Sequence, residues 1–330
     1  MSLPTAGDVH VNAPLTDMSV QYAQSLDKFG ADKLAPIMPS DKQTNLFFKF
    51  TKSYWGRDEM KVRGPGSEAV EAGYGVETDS FACIGYAVKK MIADQVRSNE
   101  DNPLNSDRNA MQFVTQLERI RREKAFAAAC LATSKWSTDK TGVAGVPSTN
   151  QFKQWNDSAS TPIENVRAYC TEIELLTLGT ARPNVMGISQ PVWDALADHP
   201  DIIDRLKYGG QLAGSLAKVS PDMVAALLGL DEIVVLSAVE NTALEGAAAT
   251  AAYIAGKGAV LLFRNTTASI ESVTAVRTFT WKNYLATDAG FRIKKYRDEG
   301  RASDVVEMES AFVHKIAAAD AGAYLASVVA

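Results

Sequence analysis

The sequence predicts an α+β fold, and three observations carry that prediction. Residues 106–132 read as one long amphipathic helix; two extended runs, 45–55 and 81–88, flank a long Gly-rich and acidic connection; and helices alternate with strands over 161–265 before the chain turns to β structure. The helix is signalled by the break Asn102-Pro103-Leu104-Asn105, with Ser106 as the predicted N-cap and Asp107 near the positive end of the helix dipole. Ala110, Phe113, Leu117, Ile120, Ala127 and Leu131 recur at helical spacing and define the expected buried face, while Arg119, Arg121, Arg122 and Glu123 fall mostly elsewhere. At a rise of ~1.5 Å per residue such a helix runs roughly 40 Å.

Ahead of it, residues 1–44 form an arm broken by Pro4, Pro14, Gly30, Pro36 and Pro39. It carries Val20, Tyr22, Leu26, Phe29, Leu34, Ile37 and Met38, more apolar surface than a solvated tail needs, which predicts docking on another subunit. In residues 45–55 aromatics and lysines interleave, as in a strand, and a second strand is expected at 81–88. The connection between them, with Gly64-Pro65-Gly66 and Gly73-Tyr74-Gly75, is longer than ordinary loops and reads as a projecting functional loop. Met60, Val62, Val70, Tyr74 and Val76 suit an extended hairpin lying on a neighbour. A short helix is predicted over 89–99, and 138–160 reads as a loop.

Thr161-Pro162-Ile163-Glu164 is a capping box, and its helix should stop at Gly179. A strand at 184–188, helices over 190–197, 201–208 and 221–229, and buried strands at 232–236 and 259–263 complete a mixed sheet covered by helices. Strands follow at 272–281, 291–297 and 303–316. If the last two form a hairpin turning at Gly300-Arg301, Lys294 lies opposite Glu307 and Arg292 opposite Glu309, possible cross-strand ion pairs that would set register more than stability.

The chain of 330 residues, 46% hydrophobic, can bury a large core; it shows no membrane span and no signal peptide. Cys83, Cys130 and Cys170, far apart and without a CxxC pair, read as buried small hydrophobes in a reducing compartment. A net charge of -5 argues against a free-standing nucleic-acid binder, though not against a protein that encloses nucleic acid. No catalytic constellation emerges. Gly187-Ile188-Ser189-Gln190-Pro191 lacks the second glycine of a nucleophile elbow, so Ser189 is expected to cap a helix. His10, His199 and His314 have no metal-ligand spacing, and no phosphate-binding loop occurs, so neither cofactor nor metal is expected. The basic cluster Arg119, Arg121, Arg122 and Lys124 reads as a solvated helix flank.

Arm, projecting loop, long helix, α/β unit and returning hairpin, in that order, resemble the major capsid protein of tailed bacteriophages, the Hong Kong 97-like family. The stretch Val76-Glu77-Thr78-Asp79-Ser80-Phe81-Ala82-Cys83-Ile84-Gly85-Tyr86-Ala87-Val88-Lys89 is similar to that family where the loop returns. So is Pro183-Asn184-Val185-Met186-Gly187 running into Pro191-Val192-Trp193-Asp194-Ala195-Leu196-Ala197-Asp198-His199-Pro200-Asp201-Ile202-Ile203-Asp204-Arg205-Leu206-Lys207-Tyr208. The resemblance implies an N-arm at 1–44, an extended loop at 45–88 and a peripheral domain at 89–160 around a spine helix at 106–132. It further implies an axial domain at 161–265, with 266–330 completing the peripheral domain. It also implies a non-enzymatic shell protein, assembling as pentamers and hexamers around double-stranded DNA, located in the virion and assembled in the host cytoplasm. Phe48, Phe50, Tyr54, Trp55, Met60, Val62 and Tyr74 would then be inter-subunit contacts. A separate scaffolding protein, a portal and a decoration protein are the partners it implies; no crosslinking residues are assigned. The alternatives are an encapsulin-like nanocompartment shell and, from another class, a soluble α/β enzyme.

Overall fold

The computed structural model describes residues 23–100, 104–208, 219–265, 267 and 273–330. Two sheets organise the chain. The first has five strands, with Ser303–Ile316 at its centre. One flank of that strand pairs antiparallel with Ile84–Ala93; the other pairs with Phe291–Asp298 and then Val276–Trp281, beyond which Ile37–Ser40 adds in parallel. The hairpin register matches the expectation, Arg292 facing Glu309 and Lys294 facing Glu307. No helix begins at residue 89: the strand runs through Ala93 because ten successive residues find partners on Ser303–Phe312, and the helix is only Asp94–Ser98.

The spine helix, Ser106–Cys130, lies across this sheet. Its N-cap is Asn105, whose side chain accepts the Arg108 N–H, so Ser106 is the first helical residue. The face it buries overlaps the expected one only at Ala110, with Leu131 partly buried against a core. Ala110, Val114, Glu118, Arg122, Phe126 and Cys130 are buried, every fourth residue, and so is Glu123, whereas Phe113 is 51% exposed. A stripe of strict four-residue spacing drifts round the helix, since 3.6 residues make a turn. Its first half therefore packs Ala110 and Val114 on Ile92, Val306 and Met308, and its last half delivers Phe126 and Cys130 to a different core beside Val185, Val260 and Leu262.

The second sheet has six strands in the order Gln151–Lys153, Thr138–Val143, Gly322–Ala326, Ala259–Leu262, Val185–Ser189, Glu232–Leu236. Two features depart from the sequence reading. Residues 138–160 are not all loop, for they supply the edge strand Gln151–Lys153, its neighbour Thr138–Val143 and the fully buried Trp155. The boundary drawn at 265/266 does not follow sheet membership either: Gly322–Ala326 sits inside this sheet, parallel to Thr138–Val143 and antiparallel to Ala259–Leu262. Helices Pro162–Leu176, Gln190–Ala197, Pro200–Tyr208 and Pro221–Leu228 share a core with one face of the sheet. The other face carries Val185, Val260 and Leu262 against Leu34 of the arm and Phe126 of the spine helix. Thr161 makes no side-chain cap; Glu164 pairs with Arg205 instead, and Pro162 alone pre-sets the helix start. Ser189 occupies an N-cap position but its buried Oγ makes no capping bond.

The arm also differs from expectation. Within the described residues it docks on its own subunit: Ala31–Leu34 forms a helical turn with Ala31, Leu34 and Ala35 buried, and of its described large apolar side chains only Leu26 is well exposed. Val20, Tyr22 and His10 lie outside the described residues.

Candidate functional site

The loop predicted at 45–88 is built on a two-stranded hairpin, Thr44–Phe50 with Val76–Ala82. The return strand pairs earlier than expected, because Ile84 onward is claimed by the five-stranded sheet. The root of the hairpin is held firmly. Phe81 stacks on Phe279 with ring centroids 3.9 Å apart, Phe47 lies 5.8 Å from the same ring, and Lys315 binds Asp79 at 3.1 Å. Further out, the helical turn Lys52–Trp55 is tied to the second sheet's surroundings through Lys52, which bonds Asp320 and the Leu176 carbonyl, and through Gly56, where any Cβ would meet Leu178 Cδ1 at 2.5 Å.

Beyond these ties the loop is exposed. Phe50, Trp55 and Tyr74 form an aromatic triangle with centroids 5.7 to 6.1 Å apart, yet Trp55 is 66% and Tyr74 65% exposed. Phe48 and Tyr54 are also exposed, and Met60 and Val62 at the tip touch almost nothing. All seven predicted contact residues thus lie on one loop, and the structure brings Phe50, Trp55 and Tyr74 together while leaving Phe48, Met60 and Val62 apart from them. Phe50, Trp55 and Tyr74 thus present clustered aromatic surface to solvent. Covering it gains roughly 25 cal/mol per Å² before ordering costs.

A second constellation escaped the sequence reading. Where the arm crosses the spine helix, the Glu123 carboxylate accepts the Gly30 and Ala31 N–H groups at 3.2 and 3.0 Å. Next to it Arg122 pairs with Asp32 at 2.7 Å, lies 3.7 Å from Glu118, donates to the Ala289 carbonyl and sits over the Phe312 ring. Burial pushes the Glu123 carboxyl up to about 7, against its two backbone donors. It also raises Glu118, opposed by Arg122. His314, buried beside Phe126, is driven down to about 3 by burial and by the Arg122 charge. The Thr278 hydroxyl donates to the Ala35 carbonyl and so accepts from His314 Nδ1 at 2.9 Å, which places a ring proton on that nitrogen. The signal for this centre was present in the four-residue spacing Ala110, Val114, Glu118, Arg122, Phe126, Cys130, which the charged members disguised.

The cross-strand ion pairs are rearranged relative to the expectation. Arg292 reaches Glu309 at 2.6 Å, but Lys294 leans diagonally to Glu309 at 2.8 Å, and Glu307 accepts from Tyr296 instead. Burial raises the Glu309 carboxyl, but the two cations outweigh it and hold the group below the usual carboxylate range. The three thiols are buried and free, and burial raises each, Cys83 and Cys170 to about 11. At Ser160 the His199 ring has the wrong polarity for a base. Its Nδ1 accepts the Asp201 N–H, so Nε2 carries the proton and donates to the Asp157 carbonyl and Ser160. Among the described residues no cluster of side chains could hold a metal ion, and no helix is long and apolar enough to cross a membrane.

No protein-family model matches the sequence, and no curated protein does. Solved structures match it over almost its whole length. A phage-related protein from Bordetella bronchiseptica RB50 is 19% identical, covering 92% of this chain and 93% of its own, with a TM-score of 0.66. The capsid of the cyanophage P-SCSP1u is 12% identical over 96% and 92%, TM-score 0.57. The SrpI encapsulin of Synechococcus elongatus PCC 7942 is 8% identical over 100% and 98%, TM-score 0.50. The fold is therefore that of the capsid class of shell subunits. More particularly, it is the Hong Kong 97-like fold found in phage capsids.

Proposed function

We propose that this chain is the major capsid protein of a tailed bacteriophage, closing as pentamers and hexamers into an icosahedral shell around double-stranded DNA. The observation that carries the reading is the loop: a hairpin anchored at its root by Phe47, Phe81 and Phe279 while Phe50, Trp55 and Tyr74 stay exposed. A monomer gains nothing from holding aromatics in water on a fixed stem, whereas repeated copies bury each one on a neighbour. Many such weak contacts stabilise a closed assembly while single contacts stay reversible. The role is structural and not catalytic, and the modest negative charge limits adhesion of the genome to the wall. A scaffolding protein, a portal and a decoration protein are its proposed partners, and the virion its location.

Replacing residues 57–73 with a short Gly-Ser linker keeps the paired strands intact. The variant should fold with wild-type circular dichroism and thermal midpoint yet form no shells by electron microscopy; normal shells from it would overturn the loop's part in assembly, and wild-type chain that stays monomeric would overturn the shell reading. The match to an encapsulin over all of this chain supports a second reading, a cargo-enclosing compartment. Shells purified from the native host containing DNA favour the first; shells containing a co-purifying enzyme favour the second.

A further inference from the structure

Of the described non-glycine residues in the left-handed backbone region, the bulkiest, Leu178, is also 52% exposed. Its φ is 54°, where glycine or asparagine is usual, and Gly179 follows at 75°. The turn behind it is buried: the Thr177 hydroxyl accepts the Ala181 N–H at 3.2 Å and lies within bonding distance of the Ile173 and Ala181 carbonyls. Core burial does not offset the strain at Leu178. Its side chain lies instead against Gly56 of the projecting loop, so closely that any Cβ there would meet Leu178 Cδ1 at 2.5 Å and Cγ at 3.3 Å. A strained residue persists where its surroundings hold it to a task.

The same spot receives a second tie. Lys52, at the start of the loop's helical turn, donates to the Leu176 carbonyl at 3.0 Å and pairs with Asp320, which also accepts from Ser137. Burial pushes the Asp320 carboxyl up, but those bonds outweigh it and hold the group below the usual carboxylate range. Thr51 donates its N–H to the Gly75 carbonyl at 3.1 Å, which closes the loop's neck beside these ties. A hairpin fixed only at its root, by Phe47, Phe81 and Lys315, pivots about that root; a support further out removes the freedom. We infer that Leu178, Lys52 and Asp320 form a saddle that fixes the direction in which the loop leaves its own subunit, so that Phe50, Trp55 and Tyr74 are presented in one orientation before any partner arrives. The saddle is a property of the single subunit; its use, lowering the ordering cost of each contact made during assembly, rests on the shell reading.

Nitroxide labels on the full-length, unassembled chain test it. Lys61→Cys in the loop and Ser158→Cys ahead of the helix Pro162–Leu176 place both labels at exposed positions, while the three native thiols are buried. Double electron–electron resonance should give one narrow distance distribution. Leu178→Gly and Lys52→Met should each broaden it about twofold, and Lys52→Arg should keep it narrow. Leu178→Gly also removes the left-handed strain, so its thermal midpoint should equal or exceed that of the wild type while its shell yield falls about tenfold. A side chain with only a packing role would lower the midpoint and leave the distribution narrow. Unchanged widths in both variants, or a wild-type distribution already broad, overturn the saddle. Broadened widths with wild-type shell yield overturn its part in assembly. If wild-type chain forms no particle beyond a monomer, the shell reading falls, and the widths still decide the saddle.

Discussion

At Glu123 and His314 two buried groups of opposite kind meet one arginine-centred cluster, and their proton linkages oppose each other. The Glu123 carboxyl goes from an ordinary 4.5 to about 7 on folding, so its contribution to stability is full below pH 4.5 and is lost as pH rises toward 7. His314 goes from 6.5 to about 3, so its contribution is full above pH 6.5 and is lost as pH falls. Between 4.5 and 6.5 the two slopes nearly cancel. Single variants should expose them: relative to wild type, Glu123→Gln gains stability as pH rises from 5 to 7.5, and His314→Phe gains as pH falls from 6.5 to 5. Each slope approaches about 1.4 kcal/mol per pH unit at most. Urea denaturation of both variants and wild type at four pH values measures this, and parallel curves would refute it. His314 was legible as a residue on the apolar face of its strand; Glu123 was not, because a Glu beside an Arg in a helix ordinarily reads as solvated and only the arm's crossing buries it.

Among elements, the arm and the last hairpin carry the sharpest expectations. Gly30 sits where a Cβ would lie 2.4 Å from Leu236 Cδ2 and 2.8 Å from Val234 Cγ1. Gly30→Ala should therefore destabilise the subunit by about 1 to 3 kcal/mol through overpacking, read from thermal or urea midpoints. In the hairpin, Glu309 is 7% exposed between Arg292 and Lys294, whereas Glu307 is half-buried. Glu309→Ala strands two cations and should cost about 2 to 3 kcal/mol, against less than about 0.5 kcal/mol for Glu307→Ala; equal costs would contradict the geometry. The register of this hairpin was readable because alternation and turn position fix it together. The strand at Ile84–Ala93 was mistaken for a helix beyond residue 88, since Lys89, Lys90 and Met91 suit either state and only the ten-residue partner on Ser303–Phe312 decides. The short strands Thr138–Val143 and Gln151–Lys153 were invisible for the same reason: Gly, Thr and Asn composition reads as loop until a long-range partner is known.

For the whole molecule, the five tryptophans divide usefully. Trp136, Trp155 and Trp193 are buried and Trp281 partly so, leaving Trp55 as the most exposed. Acrylamide should quench the free subunit mainly through Trp55, and assembly should remove most of that quenchable fraction; an unchanged fraction would place Trp55 outside the interface. The order of arm, loop, spine, α/β unit and return strands was legible because each carries its own periodicity or composition. The sharing of two cores by the spine helix was not, nor was the place of Gly322–Ala326 inside the second sheet, because nothing local records either. That strand's place reaches into biosynthesis. Gly322–Ala326 lies between Thr138–Val143 and Ala259–Leu262, so the six-stranded sheet has a gap in its middle until those five residues have left the ribosome. Prematurely terminated chains thus lack a closed sheet and carry two raw strand edges. Translation itself becomes a checkpoint, since only chains synthesised through that strand can close the sheet.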